Sequence, residues 1–119
     1  MSTGFTAILE TLVASVPGAT GAVFADDLGE VVDIYPRSDE LMILGAQVGI
    51  LYALSQAAMG LFHYGYVEEM VLAHDHVDVV VRGVAHGTYV VVASPAPVQL
   101  ATAMRALKVA AADLKIEMG

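Results

Sequence analysis

The stretch at residues 41–62, LMILGAQVGILYALSQAAMGLF, runs for twenty-two positions without a charged side chain. A run of this length and composition predicts one long helix, and a helix that is apolar all round must also be covered all round. At about 100° per residue, the small side chains gather on roughly a third of the helix circumference, and bulky side chains occupy most of the rest. The small residues are Gly45, Ala46, Gly49, Ala53, Ala57 and Gly60.

The two sides of this helix suit different neighbours. The bulky side suits a sheet, whereas the small side suits a second backbone at close range. In a chain of 119 residues, we expect that second backbone to belong to another molecule. We therefore predict a homodimer with Gly45, Ala46, Gly49, Ala53, Ala57 and Gly60 in its interface. A heterodimer with a related chain would use the same side and stays open.

A membrane span is the rival interpretation of the same stretch, because eighteen or more apolar residues are enough to cross a bilayer. Three polar side chains, Gln47, Ser55 and Gln56, lie within it. The flanks also lack the Lys and Arg anchors of a span, since Asp39 and Glu40 come directly before it. These features favour a helix of a water-soluble domain, and we expect no stable membrane insertion.

The composition is that of one domain, which we place at residues 1–119, with surplus apolar surface. Hydrophobic residues make up 57% of the chain and charged residues 15%, which favours self-association. No cysteine is present, so disulfides and thiolate metal sites are excluded. The first residues, MSTGFTAILETL, lack the basic start of a signal peptide, and we expect a cytoplasmic protein.

The net charge of −8 is unevenly distributed. Before Arg82 the only basic side chain is Arg37, against eleven carboxylates. Such a surface repels phosphate backbones, which argues against a nucleic-acid partner. It would instead attract a protein with a basic patch. The candidate partner-binding carboxylates are Asp39, Glu40, Glu68 and Glu69, near the ends of the long helix and on a predicted edge strand.

The rest of the chain divides into two further helices and five strands. A first helix is predicted from about Phe5 to Val16, with Ser2 or Thr3 as its N-cap and Pro17-Gly18 at its end. A hairpin follows, with Gly29 in its turn, and Ser38 or Asp39 caps the long helix. The predicted strands are 21–26, 30–34, 66–74, 77–84 and 88–94, and a third helix follows Pro97.

This order, α-β-β-α-β-β-β-α, predicts an α/β (α+β) fold with a five-stranded antiparallel sheet between two layers of helices. The β-branched runs 79–81 and 90–92 are typical of central strands buried on both faces. The first and third helices should cover one face of this three-layer α/β/α sandwich, and the long helix the other.

The chain resembles the Roadblock family, the dynein light chain roadblock group with its MglB-type bacterial relatives. The resemblance covers nearly the whole chain and rests on the element order, on the long small-residue helix and on three further stretches. These are VPGA at 16–19, the hairpin AVFADDLGEVVD at 22–33, and YVVVA at 89–93 before the last helix.

The resemblance implies a dimer in which two sheets join at an edge and two long helices pack together. It also implies a small Ras-like GTPase as partner, and MglB-type members can activate their GTPase. The leading hypothesis is a non-enzymatic module of this kind that requires no cofactor. A structural adaptor in a motor or signalling complex, without effect on nucleotide chemistry, is the first alternative.

One short fragment and one arginine suggest catalytic roles, and each has a simpler structural explanation. The fragment HDHVD at 74–78 begins a metallohydrolase pattern, so a small metal-dependent enzyme using His74 and His76 is the second alternative. The next ligand of that pattern would have to be His but is Val79, and turn residues at a hairpin end account for the fragment. Arg37 could serve as an arginine finger for a GTPase, but a solvated loop arginine is the simpler interpretation.

Overall fold

A computed structural model describes residues 4–119, and the predicted N-cap at Ser2 or Thr3 lies outside this range. The helices and strands follow the predicted order. They are α1 (Gly4–Ser15), β1 (Gly21–Ala25), β2 (Val31–Tyr35), α2 (Asp39–Leu61), β3 (Glu69–Ala73), β4 (Val77–Gly83), β5 (Tyr89–Pro95) and α3 (Leu100–Met118). Most boundaries lie within about two residues of those predicted from the sequence.

The five strands form one sheet in the order β2-β1-β5-β4-β3, and every neighbouring pair is antiparallel. The valine runs of β4 and β5 are buried, because helices cover both faces of these strands. Gly29 has a φ of +81° in the β1–β2 turn, which confirms its predicted role. The two open edges of the sheet are β2 and β3.

Two separate cores confirm the predicted three-layer α/β/α sandwich. On one face, α1 and α3 pack through Leu9, Leu12, Leu107 and Leu114 against a sheet surface that includes Phe24. On the other face, α2 packs alone against the opposite side chains of the same strands, among them Val23 and Val91. The alternation of side chains along each strand assigns them to the two cores.

Strand β3 begins later than predicted, at Glu69 instead of Tyr66. The reason is that Val67 is bound to α2 through both of its backbone polar groups. Its carbonyl oxygen accepts hydrogen bonds from Tyr52 Oη at 2.7 Å and Gln56 Nε2 at 2.9 Å, and its N–H donates to Gln56 Oε1 at 2.9 Å. A connecting segment tied to α2 in this way precedes the sheet edge.

By length and composition, α2 is the one helix within residues 4–119 that could cross a membrane. A core helix that packs on a sheet meets the same criteria, and α2 packs on one. Only 28% of its most apolar window is buried, however, so much of its apolar surface remains uncovered.

Candidate interaction surface

The side of α2 that faces the sheet includes part of the small-residue ladder. The buried residues of α2 are Leu41, Gly45, Val48, Gly49 and Tyr52. A Cβ atom added at Gly45 would lie 2.7 Å from Val23 Cγ1, and one added at Gly49 would collide with the hydroxyl of Tyr89. The prediction that these two glycines form the dimer interface is therefore wrong in orientation, because they face their own sheet.

The close approach at these glycines makes room for a buried tyrosine. Tyr89 projects from β5, and its Oη donates a hydrogen bond to the carbonyl oxygen of Gly45 at 3.0 Å. Burial raises the pKa of the Tyr89 phenol above its ordinary value, and the nearby Asp26 carboxylate adds to the increase. The tyrosine thus fixes α2 on the sheet by a hydrogen bond that water does not reach.

The opposite side of α2 exposes large apolar side chains, and this outer face was not predicted as such. It consists of Met42, Ile43, Ile50, Leu51, Leu54 and Leu61, whose exposed fractions range from 44% for Leu51 to 81% for Leu61. The other four predicted interface residues, Ala46, Ala53, Ala57 and Gly60, are also exposed. Large side chains exposed together along one helix are unusual for a monomer and mark an interaction surface.

The open edge at β3 lies beside this helix. Met70 and Leu72 pack against the α2 core, and Ser55 of α2 contacts the sulfur of Met70 at 3.4 Å. Val71 points away from that core and is 40% exposed. The unpaired backbone groups of an edge strand are a ready site for pairing with another strand. The outer face of α2 and the β3 edge are therefore two adjacent surfaces to which another protein could bind, one by apolar packing and the other by strand pairing.

The aromatic residues after α2 extend the apolar surface towards β3. Phe62 and Tyr64 stack with their ring centroids 5.7 Å apart, and both are largely exposed. Tyr66 is 89% exposed. The connecting segment therefore presents aromatic surface at the C-terminal end of α2.

The four candidate carboxylates lie in two places, one towards each end of α2. Asp39 and Glu40 occupy the first turn of α2, where Ser38 caps the helix as predicted, and Glu40 lines a groove with the β3–β4 turn. Glu68 lies near the other end of α2, in a groove that also contains Gln56 and Arg82. Glu69 forms a salt bridge with Arg82, its partner across the β3–β4 ladder. Glu69 is therefore less available to another protein than the other three.

The histidine fragment at 74–78 forms a hydrogen-bonded turn. His74 Nδ1 lies 3.1 Å from the carbonyl oxygen of Val77. The two carboxylate oxygens of Asp78 accept from the backbone N–H groups of His74, at 3.2 Å, and Val98, at 2.9 Å. Within residues 4–119, no group of three or more His, Asp or Glu side chains is arranged to hold a metal ion. The geometry therefore supports the turn and gives no support to the metal-dependent alternative.

Arg37 lies exposed in the loop between β2 and α2. Within residues 4–119, no hydrogen bond or salt bridge holds the Arg37 guanidinium in a fixed position. This position agrees with a solvated loop arginine.

Comparison with solved structures identifies the same arrangement of elements in several proteins. A Roadblock/LC7 domain from Streptomyces avermitilis is 21% identical over 95% of this chain and 96% of its own, with a TM-score of 0.88. MglB, in a tetrameric arrangement, is 20% identical over 98% and 91% of the two chains, with a TM-score of 0.84. MglC from Myxococcus xanthus is 28% identical over 97% and 99%, with a TM-score of 0.67.

No protein-family model and no curated protein sequence matches the chain. The solved structures nevertheless confirm the Roadblock-like fold that the element order predicted.

Proposed function

We propose that this Roadblock-like domain is a non-enzymatic, dimeric interaction module that binds and regulates a small Ras-like GTPase in the cytoplasm. The observation that supports it most is the outer face of α2, with six large apolar side chains exposed beside an open sheet edge. A surface of this kind needs a protein partner. The Roadblock resemblance supplies the expected partners, a second copy and a GTPase.

The homodimer follows from the combination of α2 and β3. A twofold axis perpendicular to the sheet would join two β3 strands in antiparallel fashion and place the two α2 helices side by side. Ala46, Ala53 and Ala57 would let the helices approach closely, while Ile50 and Leu54 would supply apolar contact. The tetrameric arrangement of the similar MglB supports self-association of this fold.

The GTPase proposal rests on the resemblance, on the similarity to MglB and MglC, and on the distribution of charge. The carboxylates Asp39, Glu40 and Glu68 are exposed at the two ends of α2. They would attract a partner with a basic patch and orient it during approach. Glu69 would contribute less, because Arg82 already neutralises it.

The experiment uses a purified Ras-like GTPase encoded by the same genome, loaded with GDP or with a non-hydrolysable GTP analogue. Titration of the dimer onto the immobilised GTPase should give saturable binding that differs between the two nucleotides. The rates of GTP hydrolysis and of nucleotide exchange, measured with and without the dimer, separate activation from exchange.

Binding with both rates unchanged would support the structural adaptor instead. Absence of binding to every Ras-like GTPase of that genome would contradict the proposal.

A further inference from the structure

Basic residues gather on one exposed side of α3, on the layer of the molecule opposite α2. Three of the five Lys and Arg residues of the chain, Arg105, Lys108 and Lys115, lie on this helix, and all three are exposed. The other two are Arg37, in the loop before α2, and Arg82, which pairs with Glu69. The acidic chain therefore has one side that is locally basic.

The same side of α3 exposes apolar side chains. Val109 is 61% exposed and Ile116 is 77% exposed, although a buried stripe of α3 already packs on the sheet. We define the outer side of α3 by Ala101, Arg105, Lys108, Val109, Ala112, Lys115 and Ile116. Five of them, at 101, 105, 108, 112 and 115, follow steps of four and three residues. This spacing places the three basic residues and two alanines in one stripe along the helix.

A groove between α1 and α3 runs along this surface. Its volume is about 420 Å³, and its α1 wall consists of the small Ala7, Thr11 and Ser15 together with the larger Ile8 and Leu12. Arg105, Ala106 and Val109 form much of the opposite wall. The hydroxyls of Thr11 and Ser15 donate to carbonyl oxygens of their own helix, at 3.0 and 2.7 Å, so their donors are already satisfied. The groove is shallow, apolar and bordered by a basic side chain.

The carboxylates of this layer lie to one side of the basic residues. Asp113 lines the groove, and Glu117 lies close to Gly4 at the start of α1. On the helix surface, Lys108 and Lys115 point about 140° or more away from these two carboxylates. Arg105 is nearer, about 80° from Asp113, with which it lines the groove, so only Lys108 and Lys115 are clear of the carboxylates of their own helix.

We infer that the outer side of α3, together with this groove, docks an acidic amphipathic helix of another protein. The apolar side of that helix would lie on Val109, Ile116 and the small residues of α1. Its carboxylates would reach Arg105, Lys108 and Lys115. From Ala101 to Ile116, α3 spans about 22 Å at ~1.5 Å per residue, so the partner would contribute about four helical turns.

The charges and the apolar residues have different tasks in this contact. Exposed ion pairs add little affinity, but they select an acidic partner and raise the association rate. The affinity would come from apolar contact at Val109 and Ile116 and along the groove. Because α2 and α3 lie on opposite faces of the sheet, the acidic helix and the partners of α2 can be bound together.

The test uses a fluorescent synthetic peptide of about three heptads, with leucine at a and d and glutamate at e and g. A second peptide with lysine at e and g serves as the charge control. Anisotropy titration with the full chain should show saturable binding of the glutamate peptide and much weaker binding of the lysine peptide. Arg105→Glu should raise the Kd of the glutamate peptide roughly tenfold, and Val109→Ser should also raise it.

Arg37→Glu is the matched control, since it changes the net charge equally but lies beside α2. Equal weakening by Arg37→Glu, equal binding of both peptides, or no saturable binding of the glutamate peptide would overturn the inference. Two further results would overturn it by assigning the surface to another occupant. One is Arg105-dependent sedimentation with phosphatidylserine vesicles while the peptide fails to bind, and the other is a smaller assembly for Arg105→Glu in light scattering.

Discussion

The phenol of Tyr89 donates a hydrogen bond to the carbonyl oxygen of Gly45, at 3.0 Å, from β5 to α2. This contact lies on the side of α2 that faces the sheet, with the buried Leu41, Val48 and Tyr52. A side chain at position 45 would contact Val23, and one at position 49 would displace the tyrosine hydroxyl. Gly45 and Gly49 therefore bring the helix close to its own sheet, and Ile43, Ile50 and Leu54 point outwards.

Gly45→Ala tests this orientation through stability. The added methyl group would lie 2.7 Å from Val23 Cγ1, so we expect a loss of about 1–3 kcal/mol in the free energy of unfolding. Gly60→Ala is the matched control, because no atom lies within 4 Å of its added Cβ and alanine favours a helix. Urea denaturation measures both variants. Equal stability of Gly45→Ala and the unmodified chain would mean that position 45 does not face the sheet.

Removal of the Gln56 side chain should loosen the segment between α2 and β3. Gln56→Ala leaves the N–H of Val67 without its acceptor, and we expect a loss of about 1–3 kcal/mol together with faster amide exchange at Val67. Gln47→Ala, on the exposed side of the same helix, should leave both quantities nearly unchanged. Hydrogen exchange followed by NMR reports the effect at Val67. Unchanged exchange there in Gln56→Ala would refute the role assigned to this glutamine.

The β3–β4 turn should depend on Asp78. Asp78→Ala removes the side-chain acceptor of the Val98 N–H and one of the two acceptors of the His74 N–H, which keeps the Val77 carbonyl oxygen at 3.1 Å, so we expect about 1–3 kcal/mol of destabilisation. His76→Ala, in the same turn, should have a much smaller effect, because its side chain is exposed. Thermal unfolding compares the two.

Retention of a stoichiometric metal ion by the purified protein after dialysis, lost in His74→Ala, would instead support the metal-dependent alternative.

Alkaline pH should destabilise the fold through its buried phenols. Burial raises the pKa of both Tyr52 and Tyr89 above the ordinary value of 10.0, so the folded state favours the neutral form. The stabilisation is complete below the pKa of the unfolded chain, about 10, and is lost as the pH rises through the higher folded pKa values. Urea denaturation between about pH 8 and pH 11 should show this decline. If the free energy of unfolding falls as steeply with pH in Tyr89→Phe as in the unmodified chain, Tyr89 does not contribute to the decline.

Salt should slow the association of the dimer with its GTPase while changing dissociation little. Charges at the rim of an interface act mainly on the association rate, and salt screens them beyond about 8 Å at physiological ionic strength. Glu40→Lys with Glu68→Lys should reduce the rate in the same way, and Glu10→Lys on α1 is the control. If the association rate measured by stopped flow changes with neither salt nor the double substitution, these carboxylates serve only to keep the protein soluble.

The order of the elements could be predicted from local patterns. Apolar residues recur every three or four positions in α1 and α3, and continuous valine runs between turn residues indicate β4 and β5. The orientation of α2 was predicted wrongly at Gly45 and Gly49, because small side chains allow close approach to a sheet as well as to a second helix. Contacts between distant parts of the chain establish it, among them the hydrogen bond of Tyr89 to Gly45 across 44 positions and the packing of Val48 on the sheet. The start of β3 was also missed because of a contact between distant residues. The Gln56 side chain bonds both backbone polar groups of Val67, so Val67 does not pair with β4. Of the six predicted interface residues, Gly45 and Gly49 face the sheet, whereas Ala46, Ala53, Ala57 and Gly60 are exposed and stay a prediction.

The most direct test of the central claim is sedimentation equilibrium of the full chain and of two variants of α2. Ile50→Glu places a carboxylate on the outer face, where 63% of the isoleucine is exposed, so the monomer should fold normally. We expect a dimer for the unmodified chain and for the control Glu10→Gln on α1, and a monomer for Ile50→Glu that circular dichroism shows to be folded. An Ile50→Glu variant that remains fully dimeric at low micromolar concentration would contradict an interface at the outer face of α2.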